Sequence, residues 1–574
     1  MFILKTLSLG GIIASISKKM EIIKKYKNLF FLALLGIIFL VVYSWLNISG
    51  VEKFSSPDET TNYYFTKLFA QKTQLRVAEP LNALAGNIIQ PRNTEVSGDF
   101  IVPASFTGIM LFYGSIAKVA GLGAVPFLTP LFSVLAVIFF YLLIKEFFSQ
   151  QVALTSALMM FFLPPFWYYA SRGLFHNVLF IDLLIIGLYF LFKTLKRNQQ
   201  TKKDWWLYLL SGLFIGLALI TRTSEIIWVS IVVTAILAAF HANINLKKLI
   251  LILIPVLLVF FPVLYYNNQL FGSYLSFGYS QAEFGTQSVS PGGAGTFIKI
   301  QQMLFPFGIN LDRTGHYVYQ YIFTVFPWFF ILLIVTIIWN IKNYLVKFFK
   351  KYFPISAPEL RILSVPQRIY AGLYVFVFLW LIIYYGAYQF DEFYNSSQAV
   401  MGSSYLRYWL PIYVFGLPLC VLAVYRIQDL VKNNFLRKFI VPFILLLIIG
   451  QNVWWVLLEP FYGLPQIRKY VSDGQSLASA VFKLTPPEGI IISGLADKLF
   501  FPERRVIVGP PSDQIEFREN IKSILARAPL YYYFDATDEN SGELKKRLSD
   551  DIFKLKLVSS FPASNSSLYQ VLLN

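Results

Sequence analysis

Leu249-Ile-Leu-Ile-Leu-Ile-Pro-Val-Leu-Leu-Val-Phe-Phe-Pro-Val-Leu-Tyr-Tyr266 carries no charged side chain. At ~1.5 Å per helical residue it approaches the ~30 Å of a bilayer's hydrocarbon core, so it reads as a transmembrane helix. Outward from it, comparable apolar runs lie near 28–47, 126–144, 152–170, 178–192, 205–221, 226–240, 319–341, 369–388, 408–424 and 439–458. Together they predict a mostly α, polytopic membrane protein with about eleven transmembrane helices. Residues 104–121 are also apolar, but Lys118 interrupts them, which predicts a helix lying at the interface. Hydrophobic residues are 56% of the chain and charged ones 14%, against about 25% charged in a soluble domain.

The net charge of +18 suits either nucleic acid or a membrane surface, and its distribution decides. With the N-terminus inside, segments 1–27, 145–151, 193–204, 241–248, 342–368 and 425–438 hold 24 of the 49 basic residues. The outer loops hold 11 basic and 11 acidic residues. This is the positive-inside pattern, and it excludes a nucleic-acid partner as the reason for the charge. Lysines precede the first span, as in a signal peptide. Its apolar run is too long for one and no small-residue cleavage site follows, so residues 1–27 read as a cytoplasmic segment before a retained anchor.

Residues 28–458 form the expected membrane domain, with large outer loops at 48–125 and 267–318. An odd span count puts residues 459–574 outside. There Gly489-Ile-Ile-Ile-Ser493, Arg505-Val-Ile-Val508 and Leu530-Tyr-Tyr-Tyr-Phe534 read as strands, and 472–483 and 513–527 as helices. Strands alternating with helices predict a small α/β domain, which either binds an acceptor or caps the membrane domain. The one cysteine, Cys420, sits in an apolar run, so no disulfide forms within the chain.

Candidate chemistry begins at Ser56-Pro57-Asp58-Glu59. Adjacent carboxylates just beyond the first span suit a general base that takes a hydroxyl proton. Asp58 equally suits a cap for a helix from about Thr60 to Gln71, with Glu59 in its first turn. Arg172, Arg222 and Arg407 each stand at the outer end of a span, against the charge bias. There a guanidinium either grips a lipid phosphate or snorkels to the interface. Arg92 belongs to the same class. Asp182, inside the fourth span beyond His176-Asn177, is the embedded carboxylate and a possible second acidic residue by position. Three histidines make a metal site of histidines improbable.

Four stretches resemble the GT-C superfamily of membrane glycosyltransferases, in the branch with protein O-mannosyltransferases and lipid A aminoarabinose transferases. Pro57-Asp58-Glu59, with Tyr63 and Ala70 downstream, is similar to that family's first-loop Asp-Glu motif. Gly212-Leu-Phe-Ile-Gly216-Leu-Ala218-Leu-Ile-Thr221-Arg222 is similar to its glycine-patterned span ending in a basic residue. Asn268-Gln-Leu-Phe-Gly272 with Gly278-Tyr279 resembles the entry to its second outer loop, and Arg407-Tyr408-Trp-Leu-Pro411 its Arg-Tyr-x-x-Pro turn. The resemblance implies inverting transfer from a polyprenyl-phosphate sugar to a protein, lipid or glycan acceptor, at the outer face of the plasma (inner) membrane. It implies the first-loop Asp, here Asp58, as base. Where the family often has a second acid at the start of the fourth span, this chain has His176-Asn177. Some branches use a divalent cation and others none. The competing classes are a transporter or flippase, which normally shows internal repeats absent here, and a scaffold or sensor with an outer ligand-binding domain.

Overall fold

The computed structural model describes residues 9–46, 52–196, 204–240, 245–276, 278, 304–352, 363–388, 400–509 and 514–574. Every expected apolar run is helical. The first half contains α1 (Leu9–Ser44), α2 (Pro57–Lys72), β1 (Val77–Ala78), β2 (Thr94–Ser97), β3 (Phe100–Pro103), α3 (Gly108–Ala120), α4 (Val125–Ile144), α5 (Gln150–Phe161), α6 (Pro164–Arg172), α7 (His176–Leu195), α8 (Trp205–Thr221), α9 (Ile226–Ala239) and α10 (Leu246–Phe271). The second half of the membrane domain contains α11 (Leu311–Val318), α12 (Pro327–Tyr352), α13 (Val365–Gly386), α14 (Ser404–Tyr408), α15 (Leu410–Leu430) and α16 (Asn434–Val453).

Eight helices are long and apolar enough to cross a membrane, and two bent pairs bring the candidates to ten among the described residues. The expected eleven runs are all present. Two of them, α8 and α9, form one pair bent by 115° at Arg222, and only as separate crossings do they bring the count to eleven. α5 and α6 bend by 50° at Pro164-Pro165, because proline starts a helix more readily than it continues one. α3, at 13 residues, is too short to span, consistent with the interfacial reading. The protein is an integral multi-pass membrane protein. α10 turns Leu257, Leu258 and Phe261 outward, each about two-thirds exposed, as a lipid-facing surface does.

Gly212 and Gly216 explain the glycine pattern of α8. A Cβ on Gly212 would sit 2.0 Å from the Ile252 carbonyl oxygen, and one on Gly216 3.0 Å from the Val256 Cα. Only small residues let α8 lie this close against α10.

The C-terminal region holds α17 (Leu464–Leu484), β4 (Ile490–Ser493), α18 (Asp497–Phe500), β5 (Arg505–Val508), α19 (Gln514–Leu525), β6 (Leu530–Asp535), α20 (Glu539–Arg547), β7 (Phe553–Phe561) and β8 (Ser566–Leu573). The strands make one sheet in the order β5-β4-β6-β8-β7, parallel at β4 and antiparallel at β8. The α/β expectation stands, with β7 and β8 added. Alternation sends Ile490 and Ile492 to one face and Ile491 to the other. Ala85 and Ile89 from the first outer loop join the first of these cores. That loop carries its own sheet, ordered β1-β3-β2. Most of the second expected loop, including Tyr279 and the glycine-rich 290–296 stretch, lies outside the described residues.

Candidate active site

Ser56 caps α2, its hydroxyl accepting from the Asp58 backbone N–H at 3.2 Å, and Pro57 follows at the first helical position. The expectation that Asp58 itself caps the helix is therefore corrected. A Ser-x-x-Glu start normally turns its glutamate back onto the cap. Here Glu59 turns aside to Arg172, whose Nη2 donates to Glu59 Oε2 at 2.5 Å and to Ser55 Oγ at 2.6 Å. Both carboxylates are thus released from capping and face arginines.

Arg407 Nη1 donates to Asp58 Oδ2 at 2.5 Å, and its Nη2 donates to Ser404 Oγ at 3.0 Å. The pairs differ in access. Glu59 is 4% exposed at its side chain and Asp58 17%, so a substrate reaches Asp58 first. Burial pushes Asp58 upward, but the Arg407 guanidinium outweighs it and holds the carboxyl below its usual range. Burial, with the charge of Asp58, leaves Glu59 above its usual value despite Arg172.

Aromatic rings string the arginines together. Phe175 lies 4.8 Å from Arg172 and 4.7 Å from Arg407, and Tyr408 lies 5.2 Å from Arg407 and 4.9 Å from Arg222. Each ring is shared by two cations, which holds neighbouring guanidiniums within about 10 Å of one another. Arg172 reaches the row from the last turn of α6, closed by Gly173 at φ 74. Arg222 reaches it from the α8–α9 bend, where its Nε donates to Glu225 Oε1 at 2.9 Å. Tyr385 and Trp228 also donate to Glu225, and Tyr385 stacks on Tyr408 at 4.8 Å. Sequence reading missed Glu225, Phe175, Tyr385 and Tyr408 as partners. Glu225 stands three residues beyond Arg222, Phe175 three beyond Arg172 and Tyr408 next to Arg407, so only Tyr385 carried no local signal.

Two candidates fall elsewhere. Arg92 is bonded to Asp497, through Nε at 2.9 Å and its backbone N–H at 2.8 Å, so it ties the outer loop to the C-terminal region. Asp182 is fully buried in α7 and accepts from Ser133 Oγ at 2.7 Å, and among the described residues no cation pairs with it. His176 has Nε2 3.1 Å from the Phe106 carbonyl and Nδ1 3.5 Å from Asn62. A divalent cation finds no ligand set among the described residues: no three acidic, histidine or cysteine side chains gather, and both first-loop carboxylates are already neutralised by arginine.

Residues 109–266 match the family model described as dolichyl-phosphate-mannose-protein mannosyltransferase. The match spans α3 to α10, and so includes Arg172 and Arg222 but neither Asp58 nor Arg407. No curated protein matches by sequence. The Archaeoglobus fulgidus oligosaccharyltransferase crystallised with Zn and sulfate aligns at TM-score 0.53 and 13% identity, over 91% of this chain and 69% of that one. The oligosaccharyltransferase AglB from the same organism, in complex with an inhibitory peptide and a dolichol-phosphate, aligns at 0.51 and 13%, over 95% and 74%. This is a GT-C fold. ArnT from Cupriavidus metallidurans in the apo state aligns over 94% of this chain and 97% of its own, at TM-score 0.48 and 10% identity. In this fold the paired carboxylates stand in the first turn of α2, and their arginines come from the last turn of α6 and from α14.

Proposed function

We propose that this protein is an inverting glycosyltransferase. It moves a hexosyl or pentosyl group from a polyprenyl-phosphate donor to a hydroxyl of a protein, lipid or glycan, at the outer face of the plasma membrane. The observation that carries the reading is the side-by-side pairing of Asp58–Arg407 and Glu59–Arg172 at the start of α2. Asp58, the more accessible carboxylate, takes the acceptor's hydroxyl proton as that oxygen attacks the anomeric carbon. The bond from the anomeric carbon to the phosphate oxygen breaks, and its electron pair leaves with the lipid phosphate. Arg407 and Arg222, bracketing Tyr408, receive the charge that grows on the departing phosphate. Arg172 keeps Glu59 in place beside them.

In the resting site the three arginines are each neutralised by a carboxylate: Glu59, Asp58 and Glu225. Donor phosphate competes with Asp58 for Arg407, so donor binding frees the base. Among the described residues the embedded Asp182 accepts from Ser133 and pairs with no cation. The test is radiolabelled polyprenyl-phosphate sugar supplied to proteoliposomes holding the protein. Transfer of label to an added membrane acceptor is expected. A well-folded protein that moves no label to any acceptor from cells of its source sinks the reading.

A further inference from the structure

The segment that carries the catalytic pair is held from the far end of the chain. Lys498, on α18, donates from Nζ to the Ser55 carbonyl at 2.7 Å. Ser55 is the residue whose hydroxyl meets Arg172 at 2.6 Å and Glu59 at 3.5 Å. Lys53 donates to the Phe501 carbonyl at 3.2 Å and pairs with Glu503 at 2.5 Å. On the other side, Thr61 Oγ1 donates to the Arg92 carbonyl at 3.3 Å, and Arg92 is gripped by the fully buried Asp497. Ser55 and Thr61 flank Asp58 symmetrically, three residues before and three after it, and α18 reaches both. The Tyr64 ring, on α2, stands 4.7 Å from that of Phe501. Further out, Glu79 pairs with Arg505 at 2.8 Å, and Ile89 bridges Ile507 in the sheet.

These contacts do more than cover a surface. A cap needs apolar burial, which Ala85 and Ile89 already supply within the domain core. The polar contacts instead converge on the few residues around Asp58 and Glu59, and they join backbone carbonyls to charged side chains whose geometry is directional. We infer that the C-terminal domain is a positioning clamp for the catalytic carboxylates, with Lys498 and Asp497 as the positioning residues. The inference rests on the proposed role of Asp58. Loss of the clamp leaves the donor arginines in place and misplaces the base.

The test uses the full-length protein in nanodiscs, with Lys498→Met, Asp497→Asn and, as a control, the half-buried Lys522→Ala on α19, away from the 55–62 segment. Amide hydrogen exchange across 55–62 is measured beside kcat, donor KM and Tm. For Lys498→Met we expect faster exchange at 55–62 with no change in α7 or α15. A kcat lower by about tenfold or more is expected from a displacement of about 1 Å, with donor KM within about threefold. Asp497→Asn follows the same pattern, and Lys522→Ala matches the parent. Lys498→Met retains most of the packed stem, so it keeps the test decisive if Asp497→Asn fails to fold. Unchanged exchange at 55–62, or faster exchange with an unchanged kcat, overturns the clamp. A parent without transfer activity refutes the catalytic reading instead, and the exchange measurement still judges whether α18 holds the loop.

Discussion

Asp58 and Arg407 stand 349 positions apart in the chain and 2.5 Å apart in the fold. One belongs to the start of α2, the other to a five-residue helix between α13 and α15. The contact closes the membrane domain on itself at its outer face. In the proposed mechanism it sets the base, Asp58, beside Arg407, the cation that meets the lipid phosphate.

Asp58→Asn keeps the shape of the side chain and leaves the Ser56 cap untouched. Transfer should fall by about 10²–10⁴-fold, the usual worth of a positioned base. Apparent Tm should fall less than in Glu59→Gln, because the Asp58–Arg407 pair is the more exposed of the two and Asn still accepts from Arg407. Activity within about threefold of the parent, in a well-folded variant, ends the assignment.

Arg407→Gln should move the acid limb of the kcat/KM profile. In the parent, Arg407 holds Asp58 below its ordinary range, so the base stays ionised down to pH values below the usual carboxylate pKa. Without the guanidinium, burial prevails and raises Asp58, so the limb moves to higher pH. Arg407→Lys retains a charge and loses the planar fork, so it should impair donor use less than Arg407→Ala and more than the parent. An acid limb that does not move in Arg407→Gln removes Arg407 as the group that tunes Asp58.

Glu59→Gln should act chiefly on stability. Arg172 is 7% exposed at its side chain, and losing its carboxylate leaves a buried charge uncompensated. Removing one partner of such a pair costs about 3–5 kcal/mol. The double variant Glu59→Gln/Arg172→Met should recover part of the lost Tm, since it removes the orphaned charge. A single variant as thermostable as the parent shows that this pair contributes nothing.

Topology offers a fourth test. A bend of 115° at Arg222 sends α9 back toward the side from which α8 came, so the pair leaves the parity of crossings unchanged. The remaining eight helices and the α5–α6 pair then make an odd number, with the C-terminal domain opposite the N-terminus. Ser523 is exposed on α19, and Cys420 is buried. In a Cys420→Ser background, Ser523→Cys should react with an impermeant thiol reagent added to intact cells. Labelling only after lysis places the domain inside.

Hydropathy made the helices legible because a segment facing lipid has no alternative to burying its backbone hydrogen bonds in a helix. The strands β4, β5 and β6 were legible for a similar reason: buried on both faces, they read as short apolar runs. β7 and β8 escaped notice. As half-exposed strands they mix lysine and serine with leucine, and only pairing with each other and with β6 makes them strands.

The site divides in the same way. Composition alone determined that this is a multi-pass membrane protein, and loop charge gave the expectation that its carboxylates and arginines stand at the outer face. Both signals arise from solvation, which each residue meets locally. Tertiary structure alone decided the long-range pairings: Arg407 on Asp58, Arg172 on Glu59, and Arg92 carried away to Asp497, whereas Arg222 meets Glu225 three residues on. Arg92 stands mid-loop and not at a span end, but its position does not name Asp497 as its partner, because partner choice depends on which distant elements pack together. A guanidinium at an outer helix end needs a carboxylate, and the fold determines which one it meets.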